Sequence, residues 1–180
     1  MRLSRVGYFA DFVVYPTLLA SLSWTTLRHA LPAQRADWML AAGAGLAAWT
    51  LLEYLLHRYV LHHAIPFRGM HALHHASPAA LIGTPTWVSV ALIGGLVFLP
   101  LRHELQADVA NGATAGLMLG YLWYVGVHHA AHHLRARPGS YLFQAKQRHA
   151  LHHHSRQACN FGVTTALWDR VFGSARSPAA

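Results

Sequence analysis

Sixteen of the 180 residues are histidine, against six acidic residues in all. Most fall in three runs: EYLLHRYVLHHAIPFRGMHALHH over 53–75, YLWYVGVHHAAHH over 121–133 and RHALHHH over 148–154. Neutral imidazole is the commonest protein metal ligand, and these runs have the spacing of a ligand set. Residues three or four apart share a helix face. His71, His74 and His75 therefore converge on one face, as do His149, His152 and His153, and His128 lies one turn from His132. His57 and His62 are five apart, roughly 140° round an ideal helix. That pair requires a distorted helix or two different metals. Spacing alone does not separate His62 from His63, or the pair 128 and 132 from the pair 129 and 133. His63, His129, His133 and His154 read as supporting or surface residues. His29 and His103, isolated in the chain, read as ordinary polar residues.

Imidazole suits zinc, copper, iron and nickel. A structural zinc takes four ligands and a catalytic zinc three, so about ten clustered histidines point to two metals. A ferritin-like di-iron centre uses four Glu and two His. Only Glu53 and Asp169 lie near the runs, so a two-metal site here must be histidine-rich. Glu53 sits one turn before His57 and reads as a carboxylate that accepts a histidine N–H. Asp169 reads as structural, ordering the C-terminal segment through backbone or Arg170 contacts. The single cysteine, Cys159, excludes a disulfide framework and a CxxC zinc site. It reads as a small residue in a helix or loop.

The elements that carry these residues are predicted to be membrane helices. The chain is 54% hydrophobic and 11% charged, where soluble domains carry about 25% charged residues. Four apolar stretches, Val6–Leu27, Trp38–Leu56, Pro85–Leu101 and Val109–Val127, approach the ~20 residues a spanning helix needs. The expected fold is all-α: one integral membrane domain over 1–180, with about four transmembrane helices and a cytoplasmic, histidine-rich cap. Asp11 and Pro16 interrupt the first stretch, and Arg2 and Arg5 precede it, as in a signal peptide. Its apolar length favours a retained helix. Thr84 is placed to cap the third stretch, with Pro85 at its first helical position. The short Arg102–Asp108 link predicts an antiparallel hairpin. Trp24, Trp38, Trp87 and Trp123 fall near predicted helix ends, where an aromatic belt sits.

Charge and histidine sort together across this topology. With both termini in the cytoplasm, only Arg28, Arg35 and Arg102 of the fourteen Lys and Arg lie outside, as the positive-inside rule demands. The same arrangement puts the three histidine runs inside. The net charge of +8 is scattered, without the basic stripe and stacking groups of a nucleic-acid-binding protein, so no nucleic-acid partner is expected. A histidine-rich membrane metal carrier is the competing reading from another class. A carrier places ionisable residues at mid-membrane, and these spans are nearly free of them.

At these motifs the chain resembles the fatty acid hydroxylase superfamily, which includes sterol desaturases and C4-methyl oxidases, and within it looks like the fatty acid 2-hydroxylases. The resemblance runs from about Glu53 to Gly173. It takes in EYLLHRYVLH, HALHH followed by Ser-Pro, the GYLWYxxxHxxxH segment, the second HALHH and the ending NFGVTTALWDRVFGS. It implies a non-haem di-iron centre on His57, His62, His71, His74, His75, His128, His132, His149, His152 and His153, where zinc can replace iron in purified protein. It also implies O2 as co-substrate, a fatty acyl or sphingolipid chain to be hydroxylated, and reducing equivalents from an external ferredoxin or cytochrome b5-like protein. The site is expected on the cytoplasmic side, at the inner membrane in a bacterium. Carotenoid hydroxylases and sterol-type C–H oxidases or desaturases share this metal chemistry, and the NFG…WDRVFGS ending argues against the carotenoid branch. Three departures bear on substrate and electron donor. Tyr124 is followed by Val125 rather than Asp, AALIGTPTWVS replaces a charged stretch, and the 180 residues hold no cytochrome b5 module.

Overall fold

A computed structural model describes residues 2–177, so Met1 and residues 178–180 of the expected domain lie outside the described residues. The regular structure of the described residues is helical apart from a single antiparallel bridge between Arg2 and Ile82. It forms two compact units. One comprises Leu3–Trp49 and Thr84–Leu122; the other comprises Arg2, Thr50–Gly83 and the chain from Trp123 onward.

The Leu3–Trp49 and Thr84–Leu122 unit is built for lipid. It holds α1 (Arg5–Phe9), α2 (Asp11–Leu27) and most of α3 (Pro32–Leu55). It also holds α5 (Thr86–Ile93), a π-helical segment (Gly94–Phe98), α6 (Leu99–Glu104) and the first part of α7 (Ala107–His133). Three stretches are long and apolar enough to cross a membrane: Arg5–Trp24, Pro32–Leu61 and Thr86–Glu104. Large apolar side chains such as Val6, Val13, Leu40, Trp87 and Leu96 point outward. A soluble helix turns that face to a core; a membrane helix turns it to lipid. This is a membrane protein.

The expected fourth span is α7. Its 27 residues are long enough, but it is not one of the three described stretches apolar enough to cross a membrane. Its small residues pack inward, with Ala110, Thr114 and Ala115 buried. Glycines let α3 and α7 touch backbone to backbone. A Cβ on Gly45 would lie 2.0 Å from the Ala113 carbonyl oxygen, and one on Gly116 would lie 1.9 Å from that of Ala42. Small residues at such crossings are the usual device where apolar burial cannot drive helix association.

Asp11 and Pro16, which interrupt the first apolar stretch, are both accommodated. Asp11 opens α2, where the helix dipole favours a carboxylate, and accepts a bond from Tyr121 Oη at 2.9 Å. Pro16 lies inside the helix. The third stretch starts one residue later than expected, since Pro85 is itself the cap and helical geometry begins at Thr86. Pro85 has extended ψ, 137°, so the chain turns into the helix after it. Only Leu105 and Gln106 separate α6 from α7.

The other unit carries the histidines of the three runs. It contains the end of α3, a π-helical segment (Leu56–Leu61), α4 (Phe67–Ala76), the end of α7, α8 (Tyr141–His154) and α9 (Leu167–Val171). Ser140 caps α8, its Oγ accepting from the Phe143 N–H at 3.2 Å.

Candidate metal centre

The five-residue offset between His57 and His62 is resolved by the helix itself. α3 passes at Leu56 into a π-helical turn, whose i→i+5 hydrogen bonding brings residues five apart one above the other. The two rings then stack with centroids 5.3 Å apart. The distortion foreseen from spacing occurs, and both side chains serve one group. α4 supplies His71, His74 and His75, the end of α7 supplies His128 and His132, and α8 supplies His149, His152 and His153.

These residues assemble into two nests of five. His57, His62, His71, His75 and His152 form one; His74, His128, His132, His149 and His153 form the other, with ligand atoms within 4.8 Å of one another in each. The nests abut, since the rings of His75 and His153 stack at 4.1 Å. All ten expected residues are brought together, from stretches almost a hundred residues apart in the chain. His62 is chosen over His63, and the 128 and 132 pair over 129 and 133. His129 and His133 instead stack on each other at 4.5 Å. His63, His154, His29 and His103 belong to neither nest.

The donor set suits cations. In the first nest Nε2 atoms meet in five contacts of 3.0–3.2 Å: His57–His71, His62–His71, His71–His75, His75–His152 and His62–His152. A neutral imidazole carries one N–H. His57 uses its own at Nδ1, 2.6 Å from the Phe161 carbonyl oxygen, and His152 does the same at 2.8 Å from that of Cys159. Only His62, His71 and His75 remain to supply hydrogens, so at least two of the five contacts cannot be hydrogen bonds and press like nitrogens together. A cation removes that repulsion. Ligands at right angles on a metal with bonds of ~2.1 Å are roughly 3.0 Å apart, which is the spacing found. In the second nest the contacts are His74–His128 at 3.0 Å, His132–His149 at 2.8 Å and His149–His153 at 3.1 Å.

Burial keeps the rings in the ligating, neutral form. It pushes His62 down to about 4, aided by His75 and His63. It pushes His74 down to about 3, aided by His132 and His75. His152 falls to about 3 under burial, opposed by its bond to Cys159. His71 and His149 are lowered by burial and by neighbouring histidines.

Glu53 reaches the loop at Val163 and Thr164. Its Oε1 accepts from the Val163 and Thr164 N–H groups at 2.6 and 2.9 Å, and its Oε2 from the Thr164 hydroxyl at 2.6 Å. The carboxylate holds the loop, and the loop carbonyl holds His57. Asp169 orders the C-terminal segment as expected, through backbone. It accepts from the Phe161 and Gly162 N–H groups, both at 2.8 Å, and from Ser174 Oγ at 2.8 Å. Asn160 takes a positive φ of 52°, which asparagine tolerates better than most residues. It bonds Arg148 and Arg176 backbone. Sequence reasoning gave no role to Phe161, or to Cys159 beyond that of a small residue. Both act through main-chain carbonyls, which leave no mark on residue type. The NFG triplet is the one local signal, because a Cβ at Gly162 would lie 2.1 Å from the Thr165 carbonyl oxygen.

The family model for fatty acid hydroxylases matches residues 42–174. The fatty acid 2-hydroxylase of Macaca fascicularis is 29% identical over 94% of this chain, which spans 53% of that relative. The fatty acid 2-hydroxylase of Rattus norvegicus is 36% identical over 71% of this chain, which spans 37% of it. The ceramide very long chain fatty acid hydroxylase of Schizosaccharomyces pombe is 33% identical over 72% of this chain and 40% of its own length. The chain thus spans about half or less of the length of these relatives. Among solved structures, full-length scs7p, with only its hydroxylase domain visible, superposes with a TM-score of 0.82 at 25% identity. That match covers 97% of this chain and 68% of the other. The matched region holds the π-helical turn, both histidine nests and the loop behind His57 and His152, and the chain belongs to the fatty acid hydroxylase family.

Proposed function

We propose that this protein is a di-iron, O2-dependent hydroxylase of a lipid acyl chain, acting as a single membrane domain over 1–180. The observation that carries the reading is the pair of abutting five-histidine nests. The ten histidines would hold two iron ions; zinc would occupy the same donors in protein purified without iron. Two ferrous ions supply the electrons and the open coordination needed to activate O2 against an unactivated C–H bond. The chain's own residues keep Nε2 lone pairs aimed inward, hold the rings neutral at pH 7 and shield the nests from bulk water by burial. Relatives described as fatty acid 2-hydroxylases and ceramide very long chain fatty acid hydroxylases support a fatty acyl or ceramide substrate. Electrons would come from an external ferredoxin or cytochrome b5-like protein.

Lipid mass spectrometry of cells with and without the gene, under 18O2, tests this. The expected result is a defined acyl lipid that gains one oxygen carrying the heavy label, together with about two irons per chain. Metal uptake into vesicles with no oxidised lipid would favour a carrier instead.

A further inference from the structure

The two nests share donor type and number but differ in how the protein holds them. In the first, Nδ1 of His57 and of His152 each donates to a carbonyl, at 2.6 and 2.8 Å. Both carbonyls, of Phe161 and Cys159, belong to one short segment, Cys159–Thr164. That segment is pinned from two sides, by Glu53 at Val163 and Thr164 and by Asp169 at Phe161 and Gly162. The clamp extends further, because Asp169 accepts from Ser174, whose Oγ lies 3.0 Å from Tyr54 Oη, one turn before Arg58. Phe161 adds its ring, edge-on to His57, His62 and His152 at 5.5–5.9 Å.

In the second nest, Nδ1 of His74, His149 and His153 is buried and meets no acceptor among the described residues. The difference has a thermodynamic sign. A ring tied to a carbonyl through Nδ1 has one tautomer and one direction before metal arrives, so binding has little left to order. A ring without that tie must select the tautomer that frees Nε2, and its buried Nδ1–H then lacks a partner, which weakens binding.

We propose that the two metal sites are unequal: the nest of His57, His62, His71, His75 and His152 fills first and releases last, and Cys159–Thr164 is the positioning device that makes it so. The proposal rests on the ten-histidine ligation above. It assigns positioning roles to Glu53, Thr164 and Asp169, none of which belongs to a nest.

The test uses the full chain in detergent, loaded with zinc and then exposed to excess EDTA, with zinc per chain followed over time. Two phases are expected, one equivalent leaving at least about tenfold more slowly than the other, in the range by which such supporting bonds alter metal affinity. Thr164→Val removes only the hydroxyl bond to Glu53 and should hasten the slow phase alone. His153→Ala should delete the fast phase and leave the slow one. Loss of both zincs in one phase would overturn the proposal in the wild-type protein, with no variant needed. Thr164→Val hastening the fast phase, or leaving both unchanged, would also overturn it. A chain that takes up no zinc at all would instead remove the metal-centre reading beneath it, so the two failures are distinct.

Discussion

A histidine ligates through the nitrogen that lacks a hydrogen, and at His57 and His152 the backbone decides which nitrogen that is. The ranking of substitutions follows from this. His75→Ala and His153→Ala, one from each nest, should lose metal and product, because no carboxylate lies ready to replace the missing donor. His29→Ala and His103→Ala should keep both, as neither residue is in a nest. Glu53→Gln should fall between, lowering activity about 10–100-fold, because it disturbs the loop that orients one ring. Iron content and product yield of the five variants in purified membranes check the order. A His103→Ala protein that stays folded yet is as inactive as His153→Ala would show the ligand set to be wrong.

Among the elements, two departures from an ideal helix matter most. The π-helical turn at Leu56–Leu61 lets a single helix present two histidines of one nest five residues apart. The glycine contacts between α3 and α7 fix the spacing of those helices within their unit. Gly116→Ala should lower the unfolding temperature in detergent, since its Cβ would meet the Ala42 backbone at 1.9 Å and overpacking costs about 1–3 kcal/mol. Gly43→Ala is the control from the same helix pair. Nothing lies within 4 Å of a Cβ there, and alanine favours a helix over glycine by up to about 1 kcal/mol, so its unfolding temperature should hold or rise. Equal losses in the two variants would contradict the backbone contact.

For the whole molecule, the side of the membrane on which the histidines lie is proposed from charge. Eleven of the fourteen Lys and Arg fall on one side of the expected topology, and that side should be the cytoplasm. Single cysteines at Arg102 and Ser177 report it. The native thiol, Cys159, is buried and gives little background. A membrane-impermeant maleimide should label Arg102→Cys in intact cells and Ser177→Cys only after permeabilisation. Labelling of Ser177→Cys from outside would reverse the topology.

The two histidine nests were legible in the sequence because donor residues declare themselves by type and helical spacing. His71, His74 and His75, and again His149, His152 and His153, could share a face only in a helix, and both runs are helical. The apolar stretches were legible for the same reason, since composition alone separates lipid from water as solvent. Tertiary structure decided what spacing left open. It chose His62 over His63 through a π-helical turn that no residue type announces. It divided ten donors into two nests, and it brought Glu53 to the loop at Val163 and Thr164. It also put the Phe161 and Cys159 carbonyls behind two of the rings. Main-chain carbonyls are the same at every residue, so only the path of the folded chain determines which of them meet a histidine.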